Sequence, residues 1–148
     1  MRVMKISTKG IYAVRFMIFL AQQDSTDPVP LKTVANGTGI SRKYLEQIVS
    51  SLTAVQLVKS SRGASGGYRL AKSASHISMF DILSATEGSL APVDYSDEIN
   101  EGLSQQGACF EMFMWRDLHE VIKDYLEGVS LQDIVDRSTQ LQIDSYSI

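Results

Sequence analysis

Two short β-prone runs, Leu57-Val58-Lys59 and Tyr68-Arg69-Leu70, flank the turn Arg62-Gly63-Ala64-Ser65-Gly66-Gly67, and an amphipathic helical segment ends directly before them. Glycines at this density let a backbone reverse, so the two runs read as a β-hairpin bearing Arg62 and Arg69. Phosphate cradling is the rival use of such glycines. It requires them between a buried strand and a helix start, with a Lys-Ser/Thr pair, and neither feature is present.

Upstream, residues 6–23 carry Ile11, Val14, Ile18 and Ala21 at helical spacing, widened by Tyr12, Phe16 and Phe19, which predicts a first helix buried on two sides. Residues 24–28 break it. A short helix after Pro30 turns Leu31, Val34 and Ala35 inward and ends at Gly37 and Gly39, which tolerate left-handed backbone. Ser41 then caps a helix whose inward stripe is Leu45, Ile48, Val49, Leu52 and Val55. The opposite face gathers Arg42, Lys43, Glu46, Gln47 and Ser50. Those side chains suit nucleic acid: Arg and Lys pair with phosphate or guanine, Gln with adenine, and Glu with the cytosine amino group. Helix, glycine turn, polar-faced helix and hairpin predict a winged helix-turn-helix.

Charge divides along the same line. Residues 1–72 hold eleven Lys/Arg against three Asp/Glu (11 − 3 = +8), and residues 73–148 hold three against fourteen (3 − 14 = −11), which sum to the net −3. A basic module attracts polyanions and an acidic one repels them, so one face is expected to meet nucleic acid and the other to turn away.

Three stretches, Met4-Lys5-Ile6-Ser7-Thr8-Lys9-Gly10, Ser41-Arg42-Lys43-Tyr44-Leu45-Glu46-Gln47 and Arg62-Gly63-Ala64-Ser65-Gly66-Gly67-Tyr68, resemble the signatures of the Rrf2 (Rrf-two) family of bacterial winged-helix regulators, and the similarity spans nearly the whole chain. The resemblance implies that Ser41, Lys43, Tyr44, Glu46 and Gln47 lie on a recognition helix. It places Arg62 and Gly63 at a wing tip and a phosphate contact at the start of the first helix, where Lys5 and Lys9 stand. Arg42 and Arg69 join this set from their own chemistry. Tyr44 also reads as a core residue flanking the helix.

In the acidic half, Ser78 and Asp81 form a capping pattern, Ile77 and Ile82 a hydrophobic staple, and Gly88 a stop. Residues 89–108 run through Pro92, Gly102, Gly107 and several carboxylates without core spacing and are expected to be a loop. Residues 110–127 form the longest helix of this half, striped by Met114, Leu118, Val121, Ile122, Tyr125 and Leu126, with Trp115 beside them. One small winged helix cannot cover that stripe, so a second copy of the chain is expected to do so. Ser130 and Asp133 start a last helix that buries Leu131, Ile134 and Val135. The expected fold is mainly α with a small β-hairpin. A winged helix-turn-helix DNA-binding region occupies residues 1–75, and dimerisation helices occupy 76–148 with a regulatory loop at 89–109. The resemblance implies a homodimer reading a palindromic double-stranded operator.

Cluster-binding members of the family carry three cysteines about six residues apart before the long helix. This chain has one, Cys109, at the place of the last; counting back six and twelve gives Leu103 and Asp97, and Met112 stands where one member supplies a histidine. One thiolate cannot hold an iron-sulfur cluster, which takes about four ligands dominated by Cys, so no cofactor and no metal site is expected. A redox role for Cys109 is an alternative, opposed by Glu101 and Glu111 nearby, which disfavour a thiolate. His76 and His119 have no ligand neighbours at metal-site spacing and read as surface residues.

Among cluster-free members the chain most resembles the cysteine-metabolism repressor (CymR) branch, which is controlled by O-acetylserine sulfhydrylase (cysteine synthase). The ending Asp144-Ser145-Tyr146-Ser147-Ile148 suggests that Tyr146 and Ile148 dock in that enzyme as an extended peptide; a frayed tail is the plain alternative. The longest apolar run, residues 11–21, contains Arg15 and is too short to cross a bilayer, and Ala21 leads into Gln22, Gln23 and Asp24 rather than a cleavage site. A single cysteine excludes an internal disulfide, and a cytoplasmic location is expected. No catalytic set can be assembled from these residues, so the chain is read as a transcriptional repressor of cysteine or sulfur metabolism and not an enzyme. An adaptor that keeps a winged helix without reading DNA is the rival from another class.

Overall fold

Serine starts four of the helices. In the computed structural model, which describes residues 5–23, 25–93 and 111–146, Ser7 Oγ accepts from the Gly10 amide at 3.1 Å, Ser41 Oγ from Tyr44 at 3.2 Å, Ser78 Oγ from Asp81 at 3.0 Å and Ser130 Oγ from Asp133 at 3.0 Å. The last two are reciprocal boxes: Asp81 accepts from the Ser78 amide at 3.0 Å and Asp133 from the Ser130 amide at 2.9 Å. Each box satisfies two amide donors that a helix start otherwise leaves bare.

The elements they open are α1 (Thr8–Ala21), α2 (Leu31–Thr38), α3 (Arg42–Ala54), the strands β1 (Val58–Ser61) and β2 (Gly67–Leu70), a 3-10 turn (Ala74–His76), α4 (Met79–Glu87), α5 (Met112–Glu127) and α6 (Leu131–Tyr146). The strands pair antiparallel in the register Val58↔Leu70, Lys59↔Arg69, Ser60↔Tyr68, Ser61↔Gly67. Val29 adds a bridge to Tyr68 through two backbone bonds of 2.8 and 2.9 Å, so the hairpin is tied back to the segment before α2.

One hydrophobic core joins α1, α2, α3, the hairpin root, α4 and the start of α6. Phe16, Met17, Val34, Leu45, Ile48, Leu52, Val58, Ile77, Ile82 and Leu131 are fully enclosed. Leu131 belongs to it because the chain returns after α5 onto the start of α4: the Met79 amide donates to Val129 O at 2.9 Å and the Leu131 amide to Ile77 O at 2.8 Å. The buried pair Ile77 and Ile82 sits beside this junction, where a staple belongs.

Two inward assignments differ from the sequence expectation. On α1 the enclosed face is Ala13, Phe16, Met17 and Leu20, while Ile11 is 46% exposed. The glycine at position 10 explains the rotation: a Cβ there would collide with the Glu87 carboxylate, so α4 approaches α1 along the Gly10–Ala13–Met17 line. Val55 is 49% exposed because α3 ends one residue earlier. The Leu57 amide bonds to Leu52 O and the Gln56 amide to Thr53 O, both at 3.0 Å, with Gln56 left-handed at φ 61°. This is a Schellman stop with glutamine in the position that glycine ordinarily fills.

Candidate nucleic-acid interface

The candidate recognition helix, α3, is fixed from beneath. Leu45, Ile48, Val49 and Leu52 of α3 are buried, which turns Arg42, Lys43, Glu46, Gln47 and Ser50 to solvent on the other side. Ser41 is exposed; its hydroxyl oxygen is engaged by the Tyr44 amide, which leaves the O–H to donate outward. α2 ends at Gly39, left-handed at φ 75°, and the buried Ile40 carries the chain into α3.

The hairpin follows α3 directly, with β1 packed against that helix. Arg62 and Gly63 stand at its exposed tip, where Gly63 has φ 105°, and Gly66 donates to Gly63 O at 3.0 Å to close the turn. Gly67 has φ 154° and lies so close to the Val29 backbone that any Cβ would collide with it. The RGxxGGY pattern therefore serves the chain's own geometry at its second half and the surface at its first. Lys59 and Arg69 are both exposed and directly opposed across the strands. Like charges in that position repel, a cost that a polyanion on the hairpin would remove.

At the start of α1, Lys5 is exposed and Lys9 half-buried around Ser7, the cap of that helix. Tyr44 is half-buried and packs on the core, its ring edge-on to Tyr12 of α1 at 5.4 Å between centroids and 78° between planes. The guanidinium of Arg15 lies over the other participant, 5.4 Å from the Tyr12 ring centre. Arg15, Tyr12 and Lys59 also stand on these surfaces, and no local motif in the sequence marks them. The spacing Tyr12-x-x-Arg15, one helical step, is the one signal that could have found the stack.

Away from this face, α5 has no buried residue: Phe113, Val121 and Tyr125 are 68%, 63% and 69% exposed. His76 is exposed, with Nδ1 2.6 Å from Ser73 Oγ, and His119 is half-buried. Among the described residues no three His, Cys, Asp or Glu side chains converge as a metal-binding group, and no helix is long and apolar enough to cross a membrane. Tyr146 is the last residue of α6 and is 87% exposed. Cys109, Asp97, Leu103 and Ile148 lie outside the described residues.

The chain matches the family described as "Rrf2: Iron-dependent Transcriptional regulator" over residues 6–137. It is 38% identical over 141 residues to the HTH-type transcriptional regulator IscR of Klebsiella pneumoniae, covering 95% of this chain and 85% of that one. It is 36% identical over 131 residues to the HTH-type transcriptional regulator CymR of Bacillus subtilis, covering 88% and 89%. The solved structure of CymR, described as the global cysteine regulator of B. subtilis, superposes with a TM-score of 0.72 at 35% identity over 90% of this chain and 97% of that one.

Proposed function

The chain belongs to the Rrf2 family of transcriptional regulators, whose members are regulators and not enzymes, and from that membership we propose that it is a homodimeric repressor that grips a palindromic operator with paired copies of α3 and the hairpin. The observation that carries this reading is the conjunction of one outward polar face, Arg42, Lys43, Glu46 and Gln47, with the uncovered apolar face of α5. The first supplies readout and the second supplies the surface by which two copies join. Half-sites are then spaced by about one turn of DNA, ~34 Å, or a multiple of it.

Each side chain has a task in this reading. Lys5, Lys9, Ser41 and Lys43 position the protein on phosphates, Arg42, Glu46 and Gln47 meet base edges, and Arg62 enters a minor groove with Gly63 allowing close approach and Arg69 behind it. Tyr44 braces α3 on α1 through Tyr12. Bound in this way across a promoter, the dimer excludes other proteins from the same duplex.

Sulfur metabolism is the proposed regulon, supported by the likeness to a global cysteine regulator and by the donor set. A single cysteine per chain offers one thiolate, and a dimer two, which does not fit an iron-sulfur cluster that takes about four. The regulator is read here as cluster-free and cytoplasmic. Its signal is proposed to be complex formation with O-acetylserine sulfhydrylase through the segment that holds Tyr146 and Ile148. Selecting bound fragments from genomic DNA tests the regulon: fragments lacking inverted half-sites, or unconnected with sulfur genes, reject it. Unchanged enzyme binding after removal of residues 146–148 rejects the tail.

A further inference from the structure

Three contacts place Arg15. Tyr12, one turn before it on α1, meets Tyr44 in the first turn of α3. Phe19, one turn after it, packs so tightly on Gly37 near the end of α2 that a Cβ at position 37 would collide with its ring. Residues 12, 15 and 19 share one helix face, so Arg15 stands over the turn between α2 and α3. Its side chain is exposed and lies over the Tyr12 ring, with no hydrogen bond or ion pair to another side chain among the described residues.

In a helix-turn-helix the first helix of the pair crosses the DNA backbone while the start of the second enters the groove. A cation above the turn between them therefore faces the phosphates at the groove edge. An aromatic ring beneath a guanidinium holds its plane while leaving its N–H donors free, and those donors form the fork that matches a phosphate. No carboxylate competes for it among the described residues.

We propose that Arg15 is a phosphate-contacting residue, pre-aimed at the operator backbone by the edge-on Tyr12–Tyr44 pair, with Tyr12 as its positioning residue. The proposal rests on the DNA-binding reading of the same face. It deepens that reading by adding a contact from the middle of α1, one helical turn or more beyond the Ser7 cap.

The test measures binding of the full-length protein to a selected genomic fragment and to a mixed-sequence duplex over a range of salt. Arg15→Gln is expected to lower the slope of log K against log salt by about 0.9, so that the wild-type advantage shrinks about three- to four-fold between roughly 50 and 200 mM salt. The loss is equal on both duplexes. Arg15→Lys keeps the slope, and Tyr12→Leu weakens binding on both duplexes with an unchanged slope, because the charge stays while its aim is lost. Unchanged slope and affinity in Arg15→Gln overturn the proposal, as does a loss confined to the selected fragment, which marks a base contact. Equal losses in Gln and Lys variants assign Arg15 to packing instead. A flat salt dependence in the wild type itself defeats the DNA-binding reading, and this contact falls with it.

Discussion

Glu87, the last residue of α4, accepts hydrogen bonds from both the amide and the hydroxyl of Ser7, the cap of α1, at 3.2 and 2.5 Å. A carboxylate at a helix start complements its positive end, and Gly10 is the residue that makes room for it. Glu87→Ala is expected to cost roughly 1–3 kcal/mol in urea unfolding, since a charge-assisted bond is lost and a half-buried amide is left without its partner. Glu87→Gln keeps an acceptor and is expected to recover part of that. Equal stability of all three proteins removes the clasp from the account.

Leu131→Ala probes the return of the chain onto the core. Leu131 is fully enclosed, so truncation leaves a cavity and is expected to cost ~2–5 kcal/mol. Because Leu131 shares one core with Ile48 and Leu52, a single cooperative denaturant transition is expected to shift as a whole.

Most of the fold was legible in residue order. Ser41, Ser78 and Ser130 announce their helices, and the hairpin is written in Arg62 to Gly67, because caps and tight turns depend on neighbours only a few positions away. The orientation of α1 was not, since apolar residues occur on all its sides and the inner face is selected by elements distant in sequence, among them α4 through the Gly10–Glu87 approach. The outward polar face of α3, Arg42, Lys43, Glu46, Gln47 and Ser50, follows from periodicity alone. Arg15 does not, because its meaning depends on Tyr44 and Gly37, which belong to other helices.

The α5 face gives an assembly prediction. Val121→Asp with Tyr125→Glu places charges where two copies are proposed to meet. The double variant is expected to sediment as a monomer, keep its helix content, and bind a single half-site far better than it binds the full operator relative to wild type. A double variant that remains a dimer moves the interface elsewhere.

For readout, Arg62→Ala is expected to weaken operator binding with the dimer intact, and Gln47→Ala or Glu46→Ala to change base preference by ~1–3 kcal/mol at one position per half-site. Competition against single-base operator variants checks this. Uniform loss on every sequence makes Gln47 a positioning contact.

Gln56→Gly offers a stabilising change. Left-handed backbone costs an L-residue about 1–2 kcal/mol, and glycine's extra chain entropy takes back ~0.5–1. A net gain of about 0.5 kcal/mol in the denaturant midpoint is expected, and a loss shows that the Gln56 side chain matters.

The two backbone bonds that join Val129 and Leu131 to the root of α4 have a bearing on heredity as much as on stability. A gene segment encoding only the front of this protein would lack the Ile77, Ile82 and Leu131 side chains that plug its interior. A crossover there would divide a shared interior, so the rear helices do not form a free-standing cassette.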